Sequence, residues 1–319
     1  MSTTLRNQRA QTTGSASNDP TGTKTATARR DGRKWMAALF LAPTIGGIAL
    51  FTLVPIVASV LLAFFRWDII SAPKFVGLDN FASIGADPTV RVAFLNTIMF
   101  VIVAVLLQLL VAISLAVLVQ TRMPIWLRTF FRSAFFFPLV LSASSVSIIM
   151  SYLFNQNFGL VNKILGLVAI PPVPWLTSPA ASMAVIVLVY VWQNFGFTFL
   201  LVLGGLSSIP TELYEASSID GAGGWKQLRS ITLPLLSPTL LVASVMAVIS
   251  ALQIFDQPYV ITRGGPGDAT RTAVMVIFES AFKQLDFGRA SAIGVVLTLL
   301  IMAATAVQFR LSRRFVYYS

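Results

Sequence analysis

Two sets of polar residues interrupt an otherwise apolar chain, and their chemistry differs. The first is a continuous island, Glu212–Pro234, reading ELYEASSIDGAGGWKQLRSITLP. It opens behind Ser208-Ile209-Pro210, and proline is at home in the opening turn of a helix. Leu213, Ala216 and Ile219 recur at helical spacing, so a short amphipathic helix is expected. Gly221, Gly223 and Gly224 break it; a second short helix over 225–231 can follow before Pro234 bends the chain. A helix–glycine–helix elbow exposed at a membrane face suits docking, although many connections only connect. The second set is buried in sequence. Gln193 and Asn194 stand among Trp192, Phe195 and Phe197, while Ser250, Gln253 and Asp256 lie three residues apart, as on one helix face. Amides and hydroxyls beside aromatic rings suit a solute with hydroxyls and an apolar C–H face. The same groups can equally bond across helices and only hold a bundle together.

Covalent chemistry finds no footing. The 319 residues contain no histidine and no cysteine, which removes thiol nucleophiles, imidazole bases and the usual zinc sites, so no metal site is expected. The acids fall almost entirely outside the apolar runs, and no catalytic dyad presents itself. No Gly-x-x-x-x-Gly-Lys-Ser/Thr loop occurs, so the chain has no ordinary means of cradling ATP phosphates.

The elements that must carry these residues are membrane spans. Only 11% of residues are charged and the mean hydropathy is +0.80, whereas soluble domains carry about 25% charged residues. Apolar runs near 36–65, 93–119, 133–154, 180–206, 238–256 and 289–309 are each long enough to cross a bilayer. The expected fold is therefore all-α, with six spans over 35–314 and the elbow as a loop at 207–237. Pro43, Gly46, Gly47 and Pro55 predict a kinked or tilted first span. Five of the six tryptophans (Trp35, Trp67, Trp126, Trp175, Trp225) fall at or beyond run ends, as interfacial belts favour. Residues 1–34, polar and without apolar periodicity, read as a disordered tail, too long for the positive start of a signal peptide. Residues 315–319 form a short second tail.

The net charge of +11 is a matter of topology rather than of nucleic-acid binding. Most of the 23 lysines and arginines, including Arg29, Arg30, Arg122, Arg128, Lys226, Arg229, Arg310 and Arg313, fall on one side of the six-span arrangement. The positive-inside rule makes that side cytoplasmic, with both termini and the elbow on it, in a bacterial inner membrane. On the other side, 74–82 reads KFVGLDNFA and 262–267 reads TRGGPG, a tight turn. Residues 272–286 suggest an amphipathic helix lying on the outer interface. The serines of the third span suit helix packing.

The spacing in the elbow resembles the signature loop of ATP-binding-cassette (ABC) importer permeases: Glu-Ala-Ala, three residues, Gly, nine residues, Ile-x-Leu-Pro. Here Glu215, Ala216, Gly221, Ile231, Leu233 and Pro234 fit, with Ser217 in place of the second alanine. FVGLDNF, VWQNFGF, SIPTELYEASSIDGA, ITLPLLSP and TRGGPG stand in the order seen in carbohydrate-type permeases of this group, and the likeness covers roughly 36–310. Within it the chain looks like the F-type subunit of maltose transporters or the A-type subunit of glycerol-phosphate transporters. The resemblance implies a heterodimer with a second, related permease, two copies of a cytoplasmic ATPase that holds the ATP and Mg²⁺, and an extracytoplasmic solute-binding protein. The chain itself would hold no cofactor and would import a sugar or sugar-like solute by alternating access. The helix carrying Glu215, Ala216, Ser217 and Asp220 would seat in a groove of the ATPase, with Gly221, Leu233 and Pro234 completing the coupling loop. Gln193, Asn194, Phe197, Ser250 and Gln253 match positions of sugar contact in similar maltose permeases. An ion-gradient transporter is the alternative; against it stand the lack of a buried ionisable pair at mid-span and of two inverted halves.

Overall fold

A computed structural model describes residues 35–36, 39–120 and 123–315. The expected tails over 1–34 and 316–319, and Arg122 with its charge, lie outside the described residues. The chain divides into two bodies, one ending at Ala58 and the other beginning at Ser59.

Nearly all of the first body's described residues belong to helix α1, Leu39–Leu62. Its expected irregularity takes the form of a π turn over Ala49–Leu53, where the Val54 N–H bonds to the Ala49 carbonyl. Pro55 follows two residues later, and proline can neither donate to the carbonyl four residues back nor avoid crowding it. A wider turn relieves that conflict and lets the helix continue.

The second body opens with a two-stranded hairpin, β1 (Phe65–Arg66) and β2 (Lys74–Phe75), in which Phe65 faces Phe75 and Arg66 faces Lys74. Helix α2 (Asp79–Ala86) follows. Its buried Asn80 donates to the carbonyls of Ala63 and Phe65, both at 2.9 Å, which is the work of the FVGLDNF segment. Helix α3 (Pro88–Gln120) buries Val90, Ala93, Thr97, Phe100, Ala104, Gln108, Ala112, Ala116 and Val119 along one face. The three- and four-residue steps define a continuous stripe. That stripe packs on α7 (Pro179–Ser207), the most enclosed helix, through two apolar clusters. One gathers Phe100, Ile186, Tyr190 and Leu252; the other gathers Ala112, Phe199, Val202 and Leu236.

The third span, expected as one helix over 133–154, is broken. It is two helices, α4 (Ile125–Val140) and α5 (Ala143–Leu153), meeting at 95°. Pro138 lies in the last turn of α4, Leu141 is extended, and the Ser142 hydroxyl caps α5 by accepting from the Ser145 N–H at 3.5 Å. Proline removes a helical donor, and the cap supplies a fresh start. Counting the bent pair as one span, six segments are long and apolar enough to cross a bilayer. Helix α6 (Leu160–Leu167) then carries Asn162. Its amide donates to Gln156 and Val173 carbonyls and accepts from the Val173 N–H and the Trp175 indole, closing the loop that follows α5.

After the elbow, which contains α8 (Thr211–Ile219) and α9 (Gly224–Gln227), come α10 (Leu233–Leu252) and α11 (Asp256–Ile261). Two expectations change here. Pro234 does not bend the chain. A second π turn, Leu228–Thr232, ends two residues before it, with the Leu233 N–H bonded to the Leu228 carbonyl, so the helix runs on as it does at Pro55. The candidate span covers the expected 238–256 and runs on to Ile261, but its helix is interrupted after Leu252. Pro258 cannot donate to the Ile254 carbonyl, which takes the Thr272 hydroxyl at 3.1 Å. Ser250, Gln253 and Asp256 therefore do not share one helix face. Gln253 ends α10, and Asp256 begins α11, where it accepts from the Ser144 hydroxyl of α5 at 2.5 Å.

Helix α12 (Ala273–Phe278) and the π turn Glu279–Lys283 occupy the stretch expected on the outer interface. They are tucked inward instead. Ala273, Met275, Val276, Ser280 and Ala281 are buried, and the Ala273 N–H bonds to the Thr97 hydroxyl at 3.0 Å. The last helix, α13 (Phe287–Phe315), is joined to the start of α3 by an ion pair between Arg289 and Asp87.

That pair gives a pH-dependent lock. Burial works to raise the Asp87 carboxyl, but hydrogen bonds from the Arg289 guanidinium and the Thr89 N–H outweigh it and hold the group below the ordinary carboxylate value. A depressed carboxylate contributes stability above its unfolded value, near ~3.9, and loses it as pH falls through the folded value. Asp87→Asn should therefore melt below the wild type at neutral pH. The gap between the two melting temperatures should close as the pH of a detergent melt is lowered below ~4. A gap that persists unchanged into acid would remove the ion pair from the account.

Candidate functional site: the elbow and the polar cluster of the bundle

The elbow begins at Pro210, extended at the start of α8. Its far end is a Schellman turn. Gly221 adopts φ +74°, its N–H reaches the Ser218 carbonyl at 3.1 Å, and the Ala222 N–H reaches the Ser217 carbonyl at 2.9 Å. Left-handed backbone at this position favours glycine because a Cβ would crowd the following carbonyl. The chain thereby reverses and enters α9.

The two arms are clasped by one side chain. The Gln227 amide nitrogen lies 3.0 Å from the Ser217 hydroxyl, 2.9 Å from that of Ser218 and 3.3 Å from the Tyr214 carbonyl. The Tyr214 and Thr232 hydroxyls add a bond at 3.0 Å. Ser217, where the sequence departs from the second alanine of the pattern, is thus half-buried and engaged. Gln227 was not legible in the sequence, since only the tertiary turn brings it to residues ten positions earlier.

What remains outward is apolar and acidic. Glu215, Ala216 and Asp220 are exposed, as are Leu213, Trp225 and, at 87%, Ile219. Among the described residues Glu215 has no ion pair. Leu233 and Pro234 are half-buried at the base of α10. A cleft of about 590 Å³ opens behind the elbow, with Tyr214, Glu215, Gln227, Leu206 and Thr232 in its wall. A rigid turn presenting a carboxylate among exposed apolar side chains has the composition of a docking surface.

The residues expected to line a path separate into two kinds. Gln193 is buried, and both polar atoms of its amide are engaged. It donates to the Leu141 carbonyl at 3.1 Å and accepts from the Gln257 amide at 3.0 Å. The carbonyl left over at the break between α4 and α5 is thereby satisfied, as non-helical backbone at membrane depth requires. Asn194 is half-buried and bonds back to the Tyr190 carbonyl at 2.9 Å, while its own carbonyl lies 3.4 Å from the Gln108 amide. Gln108 also donates to Thr198 at 2.8 Å. Phe197, Ser250 and Gln253 are exposed on the surface of the bundle. Gly196, beside them in sequence, allows α7 to touch α4: a Cβ there would lie 2.1 Å from the Phe135 carbonyl oxygen.

The fold is that of an integral membrane protein with up to six candidate spans among the described residues. Residues 108–317 match the family described as the binding-protein-dependent transport system inner membrane component, and the chain belongs to that family. It is 34% identical over 284 residues to the sulfoquinovosyl glycerol transport system permease protein SmoG of Agrobacterium fabrum, covering 88% of this chain and 92% of the relative. It is 33% identical over 279 residues to the trehalose/maltose transport system permease protein MalF of Thermococcus litoralis, covering 86% and 92%. A chain of a bacterial ABC transporter for the acidic polysaccharide alginate superposes with a TM-score of 0.80 at 21% identity, over 92% of this chain and 100% of that one. This last likeness is one of fold.

Proposed function

We propose that the chain is one permease subunit of an ATP-driven importer for a sugar or sugar-like solute. It works beside a second, related permease, two ABC ATPase subunits and an extracytoplasmic solute-binding protein. The observation that carries this reading is the elbow. Its residue types and intervals fold into a clasped, protruding helix with Glu215 free at the surface. The relatives named for sulfoquinovosyl glycerol and for trehalose and maltose support the solute class.

In this reading both termini and the elbow are cytoplasmic. Glu215, Ala216, Ser217, Asp220 and Gly221 seat on an ATPase subunit, and Leu233 and Pro234 pass the displacement into α10. ATP and Mg²⁺ are held by that partner, and no covalent step belongs to this chain. Phe197, Ser250 and Gln253 face the solute, with Asn194 beside them. Gln193 acts indirectly by holding the break between α4 and α5. Alternating access then needs the two permeases to rock about a site between them.

The test is purification of the tagged chain from its own membranes in mild detergent, followed by reconstitution. Co-purification of an ATPase, a second permease and a solute-binding protein, with saccharide uptake that requires ATP, is expected. Recovery of the chain alone, with uptake that survives ATP depletion and collapses with the ion gradient, would replace this reading with a secondary transporter.

A further inference from the structure

At the end of α10 opposite the elbow, α5, α11 and the turn after α12 enclose a pocket of about 560 Å³. Pockets of this size hold small organic ligands. Ser151 and Tyr152 enter it from α5, Tyr259 from α11, Arg263 from the turn that follows, and Glu279 and Lys283 from the π turn. None of them belongs to the elbow or to the polar cluster around Gln193.

Charge in the pocket is not balanced. Glu279 gives one carboxylate oxygen to Arg271 at 3.0 Å and the other to Lys283 at 3.3 Å, and Asp268 takes the remaining edge of Arg271 at 3.0 Å. Both carboxylates are thus spent on two cations. Arg263 is exposed and has no acidic partner among the described residues. It is held at the lip in a left-handed conformation, φ +53°. Lys283, paired with Glu279 but with its side chain 53% exposed, sits 5.5 Å above the Tyr259 ring. That ring is braced from behind by Phe255, stacked at 4.8 Å. Tyr152, 62% exposed, leaves an aromatic face open, and neither tyrosine hydroxyl has a hydrogen-bond partner among the described residues.

We propose that this pocket is an outer subsite for a saccharide carrying an anionic group. Arg263 and Lys283 take the oxyanion, Tyr152 takes the apolar face of the ring, and the tyrosine hydroxyls bond to sugar hydroxyls. A guanidinium binds carboxylate, sulfonate or phosphate oxygens through paired N–H donors, so the shared chemistry is an oxyanion on a pyranose. The proposal rests on the sugar-import reading and narrows it to acidic cargo.

The test uses the complete permease complex in nanodiscs, with glucuronate and glucose 6-phosphate as acidic probes and glucose as the neutral control. Saturation-transfer NMR reports binding, and ATP-dependent saccharide uptake is scored on the same wild-type preparation. At least one acidic probe should bind about tenfold more tightly than glucose, the gain of a charge-assisted hydrogen bond. The advantage should shrink with added salt and vanish in Arg263→Gln and in Lys283→Gln. Which of the two probes binds tells carboxylate from phosphate. Equal binding of all three, or a preference that survives Arg263→Gln, would overturn the subsite while uptake in the wild type keeps the import reading. Loss of binding-protein docking in Arg263→Glu with no probe binding would assign the pocket to an acidic side chain of that protein instead. Absence of any ATP-driven saccharide uptake would overturn both.

Discussion

Gly196→Ala should lower the melting temperature of the purified chain by about 5–10 °C, and Gly196→Leu should leave little folded protein. The three atoms nearest to a Cβ at this position are all backbone: the Phe135 carbonyl oxygen at 2.1 Å, its carbon at 2.9 Å and the Phe136 Cα at 3.0 Å. Backbone cannot swing aside as a side chain can, so α4 must move away from α7. That movement is opposed by the Phe135 ring, which stands edge-on to Phe199 at 5.3 Å and tilted against Phe195 at 5.6 Å. Overpacking of this kind costs about 1–3 kcal/mol, the larger value where the wall is backbone. In a domain of this size that corresponds to several degrees of melting temperature. Gly204 on the same helix provides the control. A Cβ there meets nothing within 4 Å, and alanine is the better helix former. If Gly196→Ala melted with the wild type, the close approach of α4 and α7 would not matter to stability.

The second large effect is expected at the elbow. Gly221→Pro cannot adopt φ +74° and removes the N–H that reaches the Ser218 carbonyl, because the proline ring fixes φ near about −65°. The Schellman turn is lost and α8 no longer projects at its present angle. Glu215→Ala leaves the turn intact and removes only the exposed carboxylate. Both should reach the membrane at wild-type levels, since neither touches the packed spans. Uptake in proteoliposomes of the complete complex should fall by at least about tenfold in each, the loss of a charge-assisted contact or of the surface that makes it. ATP hydrolysis should continue in both. Wild-type uptake in both variants would remove the elbow from the mechanism. Loss in Gly221→Pro alone would leave the turn essential and Glu215 dispensable.

The elbow was largely legible because its signals are local. Gly221 ends α8 where the spacing placed the break, and the polar island is set off from its apolar surroundings by composition alone. Spans two, four and six were found within a few residues for the same reason. The third and fifth spans were found too, but not the breaks within them, because hydropathy does not register an interruption of the helix. Pro138 was visible in the sequence, but a proline in a membrane helix produces a kink or a break according to what receives the freed carbonyl. The break just beyond it also strands the Leu141 carbonyl, whose receiver is Gln193, 52 residues away. The break after Leu252 likewise depends on Thr272 reaching Ile254. Conversely, Pro55 and Pro234 leave their helices unbroken because a π turn precedes each. Of the path residues, Gln193 looked available because an amide among aromatic rings is equally suited to a solute or to a stranded carbonyl, and only the folded arrangement distinguishes them.

The clasp made by Gln227 also has a mechanical meaning. From Gly224 the backbone stays helical through the π turn to Leu252, a rod of roughly 40 Å at 1.5 Å per residue. Because Ser217 and Ser218 are tied to Gln227 in the first turn of that rod, α8 serves as a handle fixed to one end. A tilt of about 10° imposed on the handle would carry the far end, where Gln253 sits, through roughly 7 Å over that length. A small rotation at the elbow would therefore be amplified severalfold at the opposite end of the rod.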